Sequence, residues 1–323
     1  MARRVFITGI TGFAGSHLAE RLVAAGAEVH GYALEDPPYA NLAAVERDVR
    51  VHRGDITALD ALRSAFVAAR PDAIVHLAGQ AIPTSAARDP VGAVRANVLG
   101  TATILAALDE APGATLVFAS SAEVYGDPKT SPVDERAEID PLNPYAATKV
   151  AAEALVREAG DRERRAVVIL RPMNQIGPRQ HPGLVASAFA KQIAEAEAGR
   201  GQPVVRHGSL DARRDFLDVR DMADAYARAC DIRVSGAQIF NVGTGHAVKI
   251  ADILTALMAL SRVELREELD PDRARPGTAT TLALDASRFR ERTGWAPKTP
   301  IETSLRDLLD YWRAQVREGA RVS

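Results

Sequence analysis

Val5-Phe6-Ile7-Thr8-Gly9-Ile10-Thr11-Gly12-Phe13-Ala14-Gly15 is the stretch of the 323-residue sequence that decides its fold. Its apolar start predicts a short strand, and a helical pattern runs from Ala14 to Ala25 after the glycines. A turn without side chains lets a phosphate approach the backbone, where the helix N-terminus offers free N–H groups. Because the spacing Gly-x-x-Gly-x-x-Gly is one residue longer than the common dinucleotide signature, the motif needs support from the rest of the chain.

Strand and helix patterns alternate through the first half of the chain. Further strands are predicted at Glu28–Ala33, Ala73–Leu77, Thr115–Ala119 and Val167–Leu170, and helices at Ala58–Ala69, Val91–Leu108 and Pro144–Ala159. Asn143 is predicted to cap the last of these helices and Gly160 to end it. Since these strands are apolar without alternation, the pattern predicts an α/β fold, a doubly wound parallel sheet covered on both faces.

The second half has a looser pattern and predicts a smaller C-terminal α/β region that binds substrate. Helices are expected at 184–198, 221–229, 250–260 and 304–316, with strand candidates at 204–205 and 239–240. We expect residues 1–172 to form a dinucleotide-binding domain to which 215–245 return. Residues 173–323 should form mainly the substrate-binding region.

Composition excludes several classes of function. With 47% apolar and 25% charged residues and a net charge of −2, the chain gives no electrostatic reason to expect nucleic acid or an anionic membrane as a partner. The single cysteine, Cys230, rules out an internal disulfide, and we expect no metal site. No apolar run approaches the length of a membrane span, so the expected location is the cytoplasm.

The end of the second strand should contact the adenosine ribose of a dinucleotide. There Ala33 is followed by Leu34, Glu35 and Asp36, with no arginine to meet a 2′-phosphate. An acidic side chain accepts hydrogen bonds from ribose hydroxyls and repels that phosphate, which favours NAD over NADP weakly. The alternative is that both acids simply begin a solvated loop.

Tyr145 and Lys149 are candidates for proton chemistry beside a nicotinamide. They stand four residues apart near the start of a predicted helix, on one face. A nearby ammonium and an oxidised nicotinamide would lower the pKa of the phenol into a useful range. Ser121 follows the strand that ends at Ala119, so its hydroxyl can bond the substrate oxygen that Tyr145 protonates or deprotonates.

Taken together, the motifs resemble the extended short-chain dehydrogenases/reductases, which have the Rossmann fold and act mostly on nucleotide-sugars. The matching pieces are Gly9-x-x-Gly12-x-x-Gly15, Asp55-Ile56, His76-Leu77-Ala78-Gly79, Asn97, Ser120 to Gly126, Tyr145-x-x-x-Lys149 and Arg171-Pro172. The resemblance implies a catalytic triad of Ser121, Tyr145 and Lys149. The residues expected to bind the cofactor are Gly9, Thr11, Gly12, Phe13, Ala14, Gly15, Ala33, Glu35, Asp55, Ile56, Leu77, Ala78, Gly79, Asn97, Tyr145, Lys149 and Arg171.

The second half is similar to GDP-4-keto-6-deoxy-mannose reductases. The similar pieces are Asn174 to Pro178, Ser187 to Ile193, Arg214 to Asp221 and Pro271 to Pro276. The resemblance implies substrate contacts from Ser121, Asn174, Val185, Lys191, Arg214 and Arg275, and arginine suits a diphosphate because it makes planar two-point contacts. The chain departs from its relatives at Met173-Asn174-Gln175, where they often have Phe-Asn-His, and at Leu34, where NADP-using relatives have arginine.

The leading hypothesis is a reductase that transfers a hydride from NAD(P)H to the 4-keto carbon of a GDP-linked 4-keto-6-deoxy sugar. Glu123 supports an alternative, because a glutamate at the matching position of 4,6-dehydratases removes a proton beside the keto group. A GDP-mannose 4,6-dehydratase, or another nucleotide-sugar 4,6-dehydratase or 4-epimerase, is therefore the runner-up. A non-catalytic dinucleotide-binding protein is the remote alternative. The helices at 91–108 and 144–159 resemble the pair through which relatives form homodimers.

Overall fold

A computed structural model of the chain describes residues 2–271 and 280–319. Within these ranges the strands are β1 (Arg4–Thr8), β2 (Glu28–Ala33), β3 (Val49–Arg53), β4 (Ala73–His76), β5 (Thr115–Ala119), β6 (Ala166–Pro172), β7 (Asn174–Ile176), β8 (Val204–His207), β9 (Arg213–Asp218), β10 (Gly236–Val242), β11 (Ala247–Lys249), β12 (Arg266–Leu269) and β13 (Thr281–Leu282). The helices are α1 (Phe13–Ala24), α2 (Leu59–Ala69), α3 (Pro83–Arg88), α4 (Pro90–Val94), α5 (Gly100–Ala107), α6 (Pro144–Glu163), α7 (Val185–Glu197), α8 (Val219–Ala229), α9 (Ile250–Ala259), α10 (Ser287–Thr293) and α11 (Ile301–Gly319).

The largest sheet has seven parallel strands in the order β10-β6-β5-β4-β1-β2-β3. The doubly wound parallel sheet predicted from the sequence is thereby confirmed. The chain moves outward from β1 in one direction and from β4 in the other, so the strand order reverses between these two neighbours. In such sheets a ligand binds outside the carboxyl ends of the strands at this switch point.

Strand β1 is apolar on both faces because both faces of the sheet are covered there. Val5 and Ile7 point into a core shared with Leu18 of α1, whereas Phe6 points into a second core shared with Phe66 of α2. Successive side chains of a strand face opposite sides of the sheet, so a strand covered on both faces is apolar throughout. Strand β3 escaped prediction because it lies at the sheet edge, where its sequence Val-Arg-Val-His-Arg has a polar side.

A long helix covers one face of the sheet. Its segments α4 and α5 are joined by a π-helical turn, Arg95–Leu99, and extend through a 3₁₀ turn, so that the helix runs from Pro90 to Glu110. By length and composition this run could cross a membrane, contrary to the expectation that no apolar run approaches that length. Ile104 and Ala107 pack in the sheet core. The opposite side leaves an exposed apolar face, formed by Val91, Val94 and Leu99.

Helix α6 begins as predicted but ends later than predicted. The Asn143 side chain accepts a hydrogen bond from the Ala146 N–H at 2.9 Å, which caps the helix start. Gly160 does not end the helix, which continues to Glu163 and closes with Arg164 in the left-handed conformation. A Cβ at Gly160 would lie 3.0 Å from a Val167 methyl, so this glycine permits close packing of the helix on the sheet.

The second half builds a smaller sheet beside the first. Strand β9 pairs with β7, β11 and β13, while β8 and β12 form a separate parallel pair. Helices α7, α9 and α11 enclose an apolar core with this sheet. Residues 215–245 were expected to return to the first domain. Within this range β10 joins the large sheet and α8 packs with α1, whereas β9 belongs to the small sheet. Phe289 and Trp295 also enter the core of the large sheet, which the sequence did not predict.

Candidate active site

The glycine turn between β1 and α1 brings backbone into close contact. Gly9 has a φ of +71°, and a Cβ there would lie 2.9 Å from the Ala78 nitrogen. A Cβ at Gly15 would overlap the carbonyl oxygen of Gly9. The N–H of Gly12, the residue that caps α1, donates to the same oxygen at 3.0 Å. The turn therefore forms a cradle with no side chain at its three glycines at the start of a helix, which suits phosphate binding.

A cleft of about 760 Å³ opens at the carboxyl ends of the large sheet's strands and extends to the small sheet. The predicted site residues that line it are Gly9, Thr11, Gly12, Phe13, Ala14, Gly15, Ala33, Glu35, Asp55, Ile56, Leu77, Ala78, Gly79, Ser121, Glu123, Tyr145, Lys149, Asn174 and Val185. Sequence reasoning missed other lining residues, among them Gln80, Arg95, Gln180, Phe216 and Tyr226. Gln80 could have been found from the sequence because it follows the recognised Gly79. Tyr226 could not, because α8 carries no motif that marks it.

One end of the cleft is acidic at the tip of β2. The Thr11 hydroxyl donates to the Glu35 carboxylate at 3.0 Å, which holds Glu35 against the glycine turn. Asp36 instead pairs with Arg53 at 2.9 Å. Further along the wall, hydrogen bonds from Thr57 hold the pKa of Asp55 below its usual range.

Asn97 supports the wall of the cleft from behind. It is buried in the π-helical turn, and its amide donates to the Gln80 carbonyl at 3.0 Å and to the Thr148 hydroxyl at 2.8 Å. Its oxygen accepts the Gln80 N–H at 2.8 Å. A Cβ at Gly79 would overlap this oxygen. Asn97 was expected to contact the cofactor, but it does not line the cleft; it shapes the loop of Gly79 and Gln80 that does.

Ser121, Tyr145 and Lys149 meet beyond the end of β5. The Lys149 ammonium donates to the Ala119 carbonyl at 2.8 Å and lies 6.0 Å from the centre of the Tyr145 ring. Ser121 lies near enough to Tyr145 for its hydroxyl to lower the pKa of the phenol. The three predicted catalytic side chains therefore lie together and line the cleft.

Burial sets the protonation of this group. Burial raises the pKa of Tyr145 to about 12, although the nearby Ser121 hydroxyl acts in the opposite direction. Burial also lowers the pKa of Lys149 to about 8. The sequence argument expected Lys149, helped by an oxidised nicotinamide, to lower the pKa of the phenol. In this structure burial and the Glu123 charge raise that pKa. A neutral phenol is the form that can donate a proton to a substrate oxygen.

Glu123 faces the same cleft. Its carboxylate accepts a hydrogen bond from the Asn143 amide at 3.0 Å, and its charge acts on both Tyr145 and Arg214. Its backbone N–H donates to the Ser121 hydroxyl at 3.2 Å. A carboxylate is thus fixed beside Ser121 and Tyr145.

Arg171 does not reach the cleft, and its expected contact with the cofactor is corrected. Its guanidinium forms two hydrogen bonds with the Glu153 carboxylate and one, at 2.8 Å, with the Tyr125 hydroxyl. Glu153 also accepts the Ser120 hydroxyl at 2.8 Å. Because Arg171 and Glu153 are both buried, they form an internal ion pair behind the loop that carries Ser120 and Ser121.

Residues expected to bind substrate divide into two groups. Asn174 and Val185 line the cleft. Lys191 lies on α7 and pairs with Glu195 at 3.5 Å, outside the cleft. Arg214 does not line it either: its guanidinium donates to the Thr280 carbonyl at 2.7 Å, and burial lowers its pKa. Arg275 lies outside the described residues.

Known proteins resemble the chain along almost its whole length. A family model described as GDP-mannose 4,6-dehydratase matches residues 6–308. The GDP-6-deoxy-D-mannose reductase of Pseudomonas aeruginosa is 36% identical, over 98% of this chain and 100% of that protein. A UDP-glucose 4-epimerase of Azospirillum brasilense is 32% identical, over 96% of this chain and 92% of that protein.

Solved structures agree with these matches. RMD from Pseudomonas aeruginosa in complex with NADPH superposes with a TM-score of 0.83 at 33% identity, covering 97% of this chain and 100% of that one. The UDP-glucose 4-epimerase of Thermus thermophilus with NAD gives 0.84 at 30% identity, covering 96% and 99%. The chain belongs to the GDP-mannose 4,6-dehydratase family of the extended short-chain dehydrogenases/reductases, as its motifs predicted.

Proposed function

We propose that the protein reduces the 4-keto group of a GDP-linked 4-keto-6-deoxy sugar with a nicotinamide cofactor. The observation that carries the proposal is the meeting of Ser121, Tyr145 and Lys149 beside the glycine cradle, with Tyr145 in its proton-donating form. The similarity to a GDP-6-deoxy-D-mannose reductase supports the choice of sugar and nucleotide.

The residues of the chain suit each task of this reaction. A bound reduced nicotinamide supplies the hydride. Ser121 orients the sugar carbonyl, and Tyr145 donates its proton to the carbonyl oxygen as negative charge develops there. Lys149, held by the Ala119 carbonyl, supports Tyr145 with its positive charge. The glycine cradle fits the cofactor's pyrophosphate, because it presents the N-terminus of α1 in a tight turn that side chains at Gly9 or Gly15 would not allow.

For the cofactor form we favour NAD(H). Glu35 is held at the tip of β2 by Thr11, where it can accept hydrogen bonds from ribose hydroxyls and would repel a 2′-phosphate. Arg53, a cation near this strand tip, is already paired with Asp36 in this structure. Dissociation constants for NADH and NADPH, measured side by side, test this choice. Tighter binding of NADPH would contradict it.

Glu123 favours one second candidate, a GDP-mannose 4,6-dehydratase. A carboxylate fixed in the cleft beside Ser121 and Tyr145 could remove a proton next to a keto group. Incubation with GDP-mannose alone separates the two reactions. Formation of a keto sugar without net change of the cofactor would identify the dehydratase. Oxidation of NADH or NADPH only when the 4-keto-6-deoxy product is supplied would identify the reductase.

We further propose that the protein is a homodimer. The exposed apolar face of Val91, Val94 and Leu99 lies on the long helix that the family resemblance implicates, and Leu155 on α6 is also exposed. Burying such a patch against a second copy removes it from water. Light scattering tests the assembly: a monomer mass for the wild type would refute it, and Val91→Glu should shift a dimer toward monomer. The cytoplasmic location stays a prediction that cell fractionation can check.

A further inference from the structure

The Asn143 side chain joins the two segments that carry the predicted catalytic residues. Asn143 caps α6 two residues before Tyr145, and its Oδ1 accepts the Ala146 N–H at 2.9 Å. Its Nδ2 donates to Oε2 of Glu123 at 3.0 Å. Glu123 lies in a short 3₁₀ turn that begins just after Ser121. One amide therefore bridges the helix of the proton donor and the loop of the serine.

The helix cap fixes which end of this amide faces Glu123. An asparagine amide has one acceptor oxygen and one donor nitrogen. Its oxygen is used at the start of α6, where the backbone N–H groups of the first turn need acceptors. The nitrogen is the end that remains, so Asn143 meets Glu123 as a donor and holds one oxygen of its carboxylate in place.

The second carboxylate oxygen of Glu123, Oε1, accepts no hydrogen bond from the part of the chain that the structure describes. The side chain is partly exposed, and Glu123 lines the cleft, so a ligand there can reach it. The negative charge of Glu123 acts to raise the pKa values of both Tyr145 and Arg214, which places the carboxylate near both side chains. A fixed acceptor is therefore available beside the proton donor.

The chemistry of this acceptor selects the part of a substrate that it can bind. A carboxylate oxygen repels the phosphates of a nucleotide and accepts from a hydroxyl group. A 4-keto-6-deoxy sugar keeps a hydroxyl on carbon 3, next to its carbonyl. We propose that Asn143 is a positioning residue, which holds Glu123 so that its free oxygen accepts the sugar hydroxyl beside the keto group. This inference rests on the proposed nucleotide-sugar substrate, and it does not require that the sugar be reduced.

Binding of a nucleotide with and without its sugar tests the inference. Calorimetry on the enzyme saturated with oxidised cofactor gives the affinity for GDP-mannose relative to that for GDP, which reports the contacts of the sugar alone. Asn143→Asp keeps a capping oxygen but turns a second carboxylate toward Glu123. The relative affinity should fall about ten-fold, because a hydrogen bond to a charged acceptor is lost. The affinities for GDP and for the cofactor should change less than about two-fold.

The double variant Asn143→Asp with Glu123→Gln exchanges donor and acceptor. The introduced glutamine nitrogen can donate to the introduced aspartate, which leaves the glutamine oxygen free for the sugar. The relative affinity should recover to within about three-fold of the wild type. Glu123→Gln alone should bind the sugar less tightly than the double variant, because its oxygen is then occupied by Asn143. Glu138→Gln is the matched control, since Glu138 is exposed and lies outside the cleft, and it should keep the wild-type values.

Three results would overturn the inference. The first is an unchanged relative affinity in Asn143→Asp, which would leave Asn143 as a helix cap only. The second is a double variant that binds the sugar no better than Asn143→Asp. The third is an equal loss of affinity for GDP and GDP-mannose, which would show a general disturbance of the cleft.

The same measurements separate this inference from the proposed reaction. If the relative affinities behave as described but the keto sugar is not reduced, the proposed reaction fails and the positioning role stands. If only uridine compounds bind, UDP and UDP-glucose replace GDP and GDP-mannose in the comparison, and the proposed guanine nucleotide alone fails. If the enzyme binds no nucleotide-sugar, both proposals fail.

Discussion

Replacing Glu153 with glutamine should destabilise the fold by about 3 kcal/mol, at the lower end of what losing one partner of a buried ion pair costs. Glu153 and Arg171 are 5% and 3% exposed, so the guanidinium would keep its charge with no carboxylate beside it. Glu153 also accepts the Ser120 hydroxyl at 2.8 Å. Glutamine preserves the volume and one oxygen acceptor, which explains why we choose the lower end.

Urea denaturation followed by circular dichroism measures this effect. The urea concentration at the midpoint should fall while the slope of the transition stays constant, since the surface area exposed on unfolding is unchanged. Glu158→Gln is the matched control, because Glu158 forms a 2.9 Å pair with Arg162 on the same helix but is 61% exposed. Its loss should change the free energy of unfolding by less than about 0.5 kcal/mol.

A loss below about 1 kcal/mol in Glu153→Gln would refute the reasoning from burial. The double variant Glu153→Leu with Arg171→Met should recover much of the stability, because it removes both charges together. Neither residue lines the cleft, so dinucleotide affinity of the folded Glu153→Gln variant should change less than about two-fold. A large loss of dinucleotide affinity with intact stability would instead support the contact between Arg171 and the cofactor that the sequence predicted.

Three other predictions concern the site itself. Tyr145→Phe should lower kcat by about 100-fold or more through loss of the general acid, while calorimetry shows cofactor binding retained; a kcat near that of the wild type would exclude Tyr145 as the proton donor. The pKa of Lys149 is about 8, so its ammonium is present below that pH. A pH profile of kcat/KM for reduction should therefore be level below about pH 8 and fall above it, and a profile that rises through pH 8 would contradict the role of a charged Lys149. Gly15→Ala should abolish or greatly weaken dinucleotide binding in calorimetry, because the new Cβ would overlap the Gly9 carbonyl oxygen; unchanged affinity would show that the turn can shift to accept it.

The sequence allowed prediction where local pattern and position in the sheet decide the outcome. Gly9 follows a strand directly, Gly15 lies at the start of the next helix, and Ser121 stands just beyond another strand, so the rule for the carboxyl ends of strands placed them correctly. The pair Tyr145 and Lys149 needed only helical spacing. These features depend on a few neighbouring residues, which a sequence displays.

Features that depend on distant partners could not be predicted in this way. Arg171 forms an ion pair with Glu153 of α6, and only the tertiary structure brings the two residues together. Gly160 looked like a helix end because its close approach to Val167 is not visible in the sequence.

The aromatic residues Phe289 and Trp295 have a consequence for the order in which the protein is made. They pack in the core of the large sheet with Phe240, and the Trp295 indole donates to the Asp221 carbonyl at 3.0 Å. A ribosome that has completed the glycine turn must still synthesise most of the chain before these side chains exist. We therefore expect the nascent first half to keep apolar surface exposed, available to chaperones. Stable capture of the dinucleotide should then follow the synthesis of nearly the entire chain.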